Sequence, residues 1–224
     1  SIMAKKVAFG SNHVVFDLPY GESVKLTSMK DAKILERKFH FLAKKFNMKI
    51  KCIIHKTDQP FGRGIGPVLE TRDAIRVLQQ KDNRPLDLEV KAISLAAPLL
   101  ELCLESSSPT LRHTVKREFG NAYGWATNIL RSGMAFEKMQ AIIKAQGGDA
   151  TVDSEDLKPG RFEHRVIAGK NGTVRKIHSK NASIVAKILG APKRKKSGIY
   201  LEKKIGDKVK KGDLLYSLFA ETEY

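Results

Sequence analysis

Cysteine is scarce in this chain, since Cys52 and Cys103 are its two examples in 224 residues. Two thiols without a secretion signal indicate a protein with reduced cysteines rather than a disulfide framework, and the expected location is the cytoplasm. Long apolar runs are missing too, because none reaches the roughly 18 residues that a membrane span requires. The composition therefore excludes a small disulfide-stapled domain, and no membrane partner is expected.

Acidic and aromatic residues are also few. Lys and Arg number 41 against 24 Asp and Glu, which gives a formal net charge of +17, while aromatics make up 7%. Two interpretations of this charge stay open: a lysine-rich solvated surface, or affinity for phosphate-bearing partners. A basic nucleic-acid-binding domain is thus an alternative function, but no RNA-binding aromatic signature or zinc-finger spacing supports it.

Motifs for metal, cofactor or nucleophilic chemistry are likewise missing. The six histidines show no zinc spacing with the cysteines, so no metal and no cofactor is expected. The glycines of "PFGRGIGP", Gly62, Gly64 and Gly66, match neither a dinucleotide fingerprint nor a Walker loop, and Pro67 lacks the N–H that a phosphate could use. The loop is a structural turn or a ligand contact on this pattern, and both interpretations stay open.

What the sequence does contain is an alternation of strands and helices. Apolar periodicity predicts strands at 13–19 and 48–56 and helices at 28–47, about 67–80, 86–105 and, as a pair, 122–148. The helix at 86–105 is apolar nearly all round and is expected to be buried, with Cys103 in it. Residues 106–110 read as a loop. This order predicts an α/β fold with a mixed sheet flanked by helices.

The pattern changes beyond a turn-rich, acidic stretch at 149–163. Two strands around a Lys-Asn-Gly turn, a capped helix at 179–191 and a final hairpin predict a β-rich α+β unit. The hairpin segment "GDKVKKGD" resembles the return hairpin of biotinyl and lipoyl carrier domains, but the lysine motif for modification is missing. Three segments are therefore expected: 1–9 as the end of a helical lobe, 10–160 as the α/β domain, and 161–224 as the C-terminal unit.

Six separated motifs keep the order found in one family. "SIMAKK…G…HVVFDLPYG", "TDQPFGRGIGPVLETRDAI", "AQGGD", "AGKNGTV", "AKILGA" and "GDKVKKGD" resemble the thymidine and pyrimidine nucleoside phosphorylases, most of all the archaeal branch that acts on AMP. The resemblance implies that phosphate attacks C1′ of a nucleoside 5′-monophosphate and the base leaves, which turns AMP into adenine and ribose 1,5-bisphosphate. It also implies homo-oligomers.

The resemblance also assigns roles to residues. Ser1 and Lys5 match the family's base-binding Ser and Lys, and Lys25 stands where bacterial relatives carry an aromatic residue. A cation there suits a substrate with a 5′-phosphate, whereas an aromatic suits an uncharged nucleoside, so a thymidine or pyrimidine nucleoside phosphorylase is the alternative. The family's phosphate loops and its proton-donating Asp are expected upstream of residue 1, so this chain is expected to be a C-terminal portion that is inactive alone.

The resemblance bears on the glycine loop as well. With the phosphate site placed elsewhere, the loop is expected to turn a strand into a helix. Some bacterial relatives bind a monovalent cation with this loop and the following helix, through carbonyls and a Glu. The matching positions are Phe61, Gly64 and Asp73, where the shorter Asp departs from the family pattern.

Overall fold

A computed structural model describes residues 2–223 and divides the chain into two compact units. Unit 1 comprises the residues up to Thr57 together with Val90–Arg131, and unit 2 comprises Asp58–Glu89 together with the residues from Ser132 onward. The expected boundaries at 9/10 and 160/161 stay a prediction. None of the helices within residues 2–223 combines the length and the apolar character needed to cross a membrane.

Unit 1 is built on one pair of parallel strands. Its elements are, in chain order, α1 (Ile2–Ala8), β1 (His13–Tyr20), α2 (Met29–Lys45), β2 (Lys49–Lys56), most of α4 (Leu86–Glu105), α5 (Pro109–Phe119) and α6 (Ala122–Arg131). β1 pairs with β2 in parallel, in a register that joins His13 to Lys49 and Tyr20 to Lys56. The α2 connection between the strands is the crossover that parallel neighbours require.

The core of unit 1 lies between this strand pair and α2. Alternate residues of β1 are buried, as a half-buried strand requires, and Phe16 stacks on Phe39 of α2 with the ring centroids 4.2 Å apart. The α2 helix begins where predicted, because the Ser28 hydroxyl oxygen accepts a hydrogen bond from the Asp31 N–H at 3.2 Å. The side chain of Met3 joins the same core and attaches α1 to the unit.

Unit 2 is built on antiparallel strands. Its elements are β3 (Gly64–Ile65), α3 (Pro67–Leu78), the first residues of α4, α7 (Met134–Ala145), a 3₁₀ turn (Ser154–Asp156), β4 (Phe162–Ile167), β5 (Gly172–Thr173), α8 (Ser179–Ile188), β6 (Gly198–Leu201), β7 (Lys208–Val209) and β8 (Leu214–Ala220). Four strands form one sheet in the order β3-β6-β8-β4, and β5 pairs with β7. Helix α8 packs on the larger sheet over a core of Ile65, Ala186, Ile199 and Leu201.

The predicted α/β class is confirmed, with the parallel and antiparallel pairs in separate sheets. The predicted final hairpin corresponds to β6 and β8, which pair antiparallel. The two strands expected around the Lys-Asn-Gly turn are β4 and β5, but they do not pair with each other, because β4 pairs with β8 and β5 with β7. After β4 the Ala168 N–H still donates to the Asp213 carbonyl at 2.8 Å, so the chain follows β8 and cannot turn back on itself.

Two local expectations are also wrong. Residues from Pro109 onward form helix α5, which begins with Ser108 as its cap and Pro109 in its first turn, whereas a loop was expected over 106–110. The α4 helix contains exposed apolar side chains, notably Leu86 at 61% and Val90 at 58%, and Cys103 is exposed rather than buried. An apolar composition all round a helix thus did not ensure burial on every side.

A buried arginine ties α3 to the 3₁₀ turn within unit 2. Arg76 donates from Nε and Nη2 to the two carboxylate oxygens of Glu155, at 2.7 and 2.9 Å, and from Nη1 to the Tyr200 hydroxyl at 3.2 Å. The Arg76 side chain is 8% exposed and the Glu155 side chain 54%. The hydrogen bonds from Arg76 hold the pKa of Glu155 below its usual value of 4.5.

We predict that Glu155→Gln lowers the free energy of unfolding by about 1–2 kcal/mol near pH 7, because Arg76 loses its charged partner and solvent screens the exposed half of the pair. A depressed carboxylate pKa stabilises the fold above the unfolded pKa, and this contribution disappears as pH falls through the folded pKa, below 4.5. Urea unfolding at several pH values measures the difference.

The control is Glu118→Gln, which removes an exposed pair with Arg117 whose side chains are 46% and 65% exposed. It should change stability by less than about 0.5 kcal/mol. A Glu155→Gln effect equal to that of the control, or one that persists unchanged at low pH, would contradict the account of this ion pair.

Candidate functional site

The carboxyl ends of β1 and β2 meet at one edge of unit 1. Tyr20 and Lys56 are register partners at these ends, and the Thr57 N–H donates to the Tyr20 carbonyl at 2.9 Å. The turn after β1 closes on itself, since the Gly21 N–H donates to the Leu26 carbonyl at 2.9 Å. Lys25 lies in this turn with an exposed side chain. Its ammonium therefore stands at the strand edge where α/β proteins place ligands.

Glycine is required at the start of this turn. A Cβ on residue 21 would lie 2.4 Å from the Thr57 carbonyl oxygen, well inside contact distance. The two strand ends consequently pack backbone against backbone, which sets the path of the chain four residues before Lys25. The turn is thus packed closely against the backbone at the end of β2.

Lys5 lies in the last turn of α1, in the same unit as Lys25. Met3 of this helix is 3% exposed within the unit 1 core, whereas the Lys5 side chain is exposed. Within residues 2–223, no carboxylate pairs with the ammonium of Lys5 or of Lys25, and no hydrogen bond joins the two lysines. Ser1, the third predicted site residue, lies outside the described residues. The base-binding and phosphate-binding roles of all three stay predictions.

Sequence reasoning missed a charged cluster on the face of β1 and β2 that is opposite to the core of unit 1. The Asp17 Oδ1 atom lies 2.8 Å from His55 Nε2 and 2.6 Å from the Lys91 ammonium of α4. The Thr57 hydroxyl lies 3.1 Å from His55 Nδ1. Each of these residues alone reads as solvated, but strand alternation could have placed Asp17 and His55 on one face. These contacts hold Lys91 of α4 close to Asp17 of β1.

The glycine loop of unit 2 has its amides occupied by carboxylates. Four backbone N–H groups donate to side chains of the same unit: Arg63 and Gly64 to Asp73 Oδ2 at 2.7 Å each, Gly66 to Glu70 Oε1 at 2.9 Å, and Gly62 to Asp87 Oδ1 at 3.3 Å. An anion is bound by N–H groups that point at it, and these already point at carboxylates. The loop is a turn into α3, as expected once the phosphate site was placed elsewhere.

The surroundings of Cys52 do not suit its thiol to act as a nucleophile. Burial, with a smaller contribution from the Glu36 carboxylate, raises the pKa of the Cys52 thiol to about 11. A protonated thiol is a poor nucleophile, so the expectation that Cys52 is not catalytic agrees with its surroundings. Cys103 is exposed and lies on α4.

The C-terminal part of this chain matches a known domain. Residues 173–224 match the pyrimidine nucleoside phosphorylase C-terminal domain. The C-terminal part of the chain is therefore similar to the C-terminal domain of pyrimidine nucleoside phosphorylases. The family resemblance predicted from six sequence motifs is confirmed.

Relatives from several archaea are similar over the whole chain. Proteins named AMP phosphorylase are 39% identical in Methanococcus maripaludis strain C5, 38% in Methanocaldococcus jannaschii and 37% in Methanosarcina barkeri, each covering 100% of this chain. The chain spans 42% of the length of each of these relatives. The similarity therefore includes the segments that carry Lys5 and Lys25 and is not limited to the C-terminal domain.

The monovalent-cation site of some family members does not fit the residues of this loop. The Lys204 ammonium donates to the carbonyls of Pro60 and Gly62, the latter at 2.6 Å, and lies 3.0 Å from Asp87 Oδ2. Asp73 turns its Oδ2 atom to the loop amides, and its buried Oδ1 atom lies 4.0 Å from Arg76. A further cation near Phe61, Gly64 and Asp73 would be repelled by two charged side chains.

We predict that Lys204→Met lowers the free energy of unfolding by about 2 kcal/mol, because its charge-assisted bonds to loop carbonyls and its pairing with Asp87 are lost together. The matched control is the neighbouring Lys203→Met, whose ammonium is 3.6 Å from Asp213 in a half-exposed pair. The control should cost less than about 1 kcal/mol. Urea unfolding of both variants and the wild type provides the comparison.

The same experiment in KCl and in choline chloride tests the cation interpretation. Equal stability of the wild type in the two salts is the expected result, since the ammonium of Lys204 already contacts the loop. Equal losses from Lys203→Met and Lys204→Met, or a stabilisation of the wild type that is specific to potassium, would show that Lys204 does not hold the loop.

Proposed function

We propose that this protein takes part in the phosphorolysis of nucleoside 5′-monophosphates, with AMP as the first candidate substrate. An oxygen of inorganic phosphate forms a bond to C1′ while the bond between C1′ and the base nitrogen breaks. The base leaves with a proton, so AMP and phosphate become adenine and ribose 1,5-bisphosphate. The AMP phosphorylase name of the archaeal relatives supports this substrate class.

The position of Lys25 carries the proposal. Its ammonium is exposed, has no carboxylate partner within residues 2–223, and stands at the carboxyl edge of a parallel strand pair. A compact cation in that place complements the dianionic 5′-phosphate of a nucleotide and offers nothing comparable to a nucleoside. Lys25 is therefore proposed to bind the 5′-phosphate, which favours a nucleotide over the thymidine-type substrate.

Lys5 and Ser1 are proposed to contact the base. The exposed side chain of Lys5 projects from a helix whose other side is fixed in the unit 1 core by Met3. Because the helix is already fixed in the core, binding of a base by Lys5 would restrict only the rotamers of the lysine side chain. Donors to the base matter for the reaction because negative charge develops on the leaving nitrogen.

We further propose a cytoplasmic homo-oligomer that contacts its copies near α1. Apolar side chains at the start of the chain are exposed, namely Ile2 at 59% and Phe9 at 86%. Single exposed apolar side chains are also common on free surfaces, so the proposal rests on the resemblance to homo-oligomeric phosphorylases. Light scattering of the protein expressed from its complete reading frame should give a multiple of the protomer mass, and a monomer at micromolar concentration would refute the oligomer.

We predict that Lys25→Ala lowers kcat/KM for AMP by about 10–150-fold, because a charge-assisted contact to phosphate contributes roughly 1.5–3 kcal/mol. The same change should leave adenosine and thymidine phosphorolysis nearly unaltered, and Lys25→Arg should restore much of the AMP activity. Lys5→Ala should reduce nucleotide and nucleoside reactions alike. The measurement is phosphorolysis of AMP, CMP, UMP, adenosine and thymidine by the protein expressed from its complete reading frame.

Lys6→Ala is the matched control, since Lys6 is an exposed neighbour of Lys5 in the last turn of α1. It should behave as the wild type. If the wild type cleaves thymidine as well as AMP, or if Lys25→Ala lowers both reactions equally, the nucleotide assignment fails and the nucleoside phosphorylase alternative replaces it. Absence of all phosphorolysis together with micromolar RNA binding at physiological salt would favour the nucleic-acid-binding alternative.

A further inference from the structure

Three side chains with metal-ligating atoms converge between α2 and β2 of unit 1. Glu36 and His40 lie one helical turn apart on α2, and Cys52 lies on β2. One carboxylate oxygen, one imidazole nitrogen and the sulfur lie within 4.8 Å of one another. Within residues 2–223 this is the one group of three such side chains that comes so close. The candidate substrate lysines, Lys5 and Lys25, are not part of it.

The packing of the core brings these residues together. Phe39 of α2 stacks on Phe16 of β1, and Phe16 is the register partner of Cys52. Paired residues of parallel strands point to the same face of the sheet, so Cys52 lies beside the stacked rings under α2. Glu36 and His40 flank Phe39 at helical spacing and consequently lie over β2.

The chemistry of the three atoms matches a transition-metal site. Thiolate, imidazole and carboxylate are the ligands of zinc, and an imidazole with a carboxylate four residues away on one helix presents two ligands to one ion. Tetrahedral zinc with bonds of about 2.0–2.3 Å needs ligand atoms about 3.3–3.8 Å apart, so atoms that lie within 4.8 Å of one another must approach by no more than about 1.5 Å. His40 is exposed and Glu36 half-buried, so both can rotate.

We propose that Glu36, His40 and Cys52 form a binding site for a divalent transition metal of the zinc type, with water as the fourth ligand. The metal replaces the thiol proton and joins the crossover helix to the second strand of the pair. The site lies outside the loops and lysines assigned to the proposed reaction and is independent of it.

The test uses Co²⁺ as a spectroscopic probe and Zn²⁺ as its competitor, with untagged, metal-free, reduced protein. We expect one equivalent of Co²⁺ to bind with a thiolate-to-cobalt charge-transfer band and visible bands of tetrahedral intensity, and we expect Zn²⁺ to displace it. Glu36→Gln and His40→Gln should each weaken binding by more than about tenfold, since changes even in the second shell of a metal site cost about 10–100-fold. Cys52→Ser should abolish the charge-transfer band.

Matched controls separate binding from folding. Cys103→Ser and His113→Gln change an exposed cysteine and an exposed histidine elsewhere in unit 1 and should bind Co²⁺ as the wild type does. Thermal melting of the metal-free Glu36→Gln and His40→Gln variants should match the wild type, because His40 is exposed and Gln has nearly the same shape as the half-buried Glu36. A band that survives Cys52→Ser or disappears with Cys103→Ser, unaltered binding by His40→Gln, or no band with excess Co²⁺ would each overturn the proposal.

Discussion

The parallel pairing of β1 with β2 is the constraint on which the rest of the account depends. Two parallel strands must end at the same edge, so the turn that holds Lys25 lies beside Thr57 and not at the far end of the sheet. The same pairing sets Phe16 beside Cys52 under α2 and leaves Asp17 and His55 on the opposite face. A slip of one residue would exchange the two faces and dissolve both the core and the charged cluster.

In unit 2, carboxylates and a lysine contact the backbone groups of the glycine loop that a bound ion could otherwise contact. Asp73 is 1% exposed and holds two amides of the glycine loop, while the Lys204 ammonium contacts two of its carbonyls. Burying a charge costs free energy, and here the loop amides facing Asp73 and the carbonyls and Asp87 facing Lys204 offset that cost. Amides and carbonyls of the loop thus have partners within unit 2, and a glycine is needed at position 66 because the Ser197 carbonyl would contact a Cβ at 2.4 Å.

Most regular elements could be predicted from the sequence, because strong periodicity and caps such as Ser28 are local properties. Helix α5 was missed although Ser108 and Pro109 form a standard helix start, since the serine run before it reads as a loop. The partners of β4 and β5 were missed because strand pairing is decided by contacts with residues far away in the chain, such as Phe162 with Ala220 and Gly172 with Val209. Lys25 could be predicted through the family resemblance, whereas the clusters around Asp17 and around Cys52 also depend on the register of β1 with β2, which local spacing does not give.

The central claim is that a nucleotide's phosphate is recognised at the turn after β1 and not at the glycine loop. Amide-resolved NMR of isotope-labelled protein, expressed from its complete reading frame and titrated with AMP and separately with adenosine, tests this most directly. The account predicts that AMP shifts the amide resonances of residues 21–26 more than adenosine does, while those of residues 62–66 stay unmoved and exchange slowly with solvent. Phosphate-dependent shifts at residues 62–66, with residues 21–26 unchanged, would contradict it.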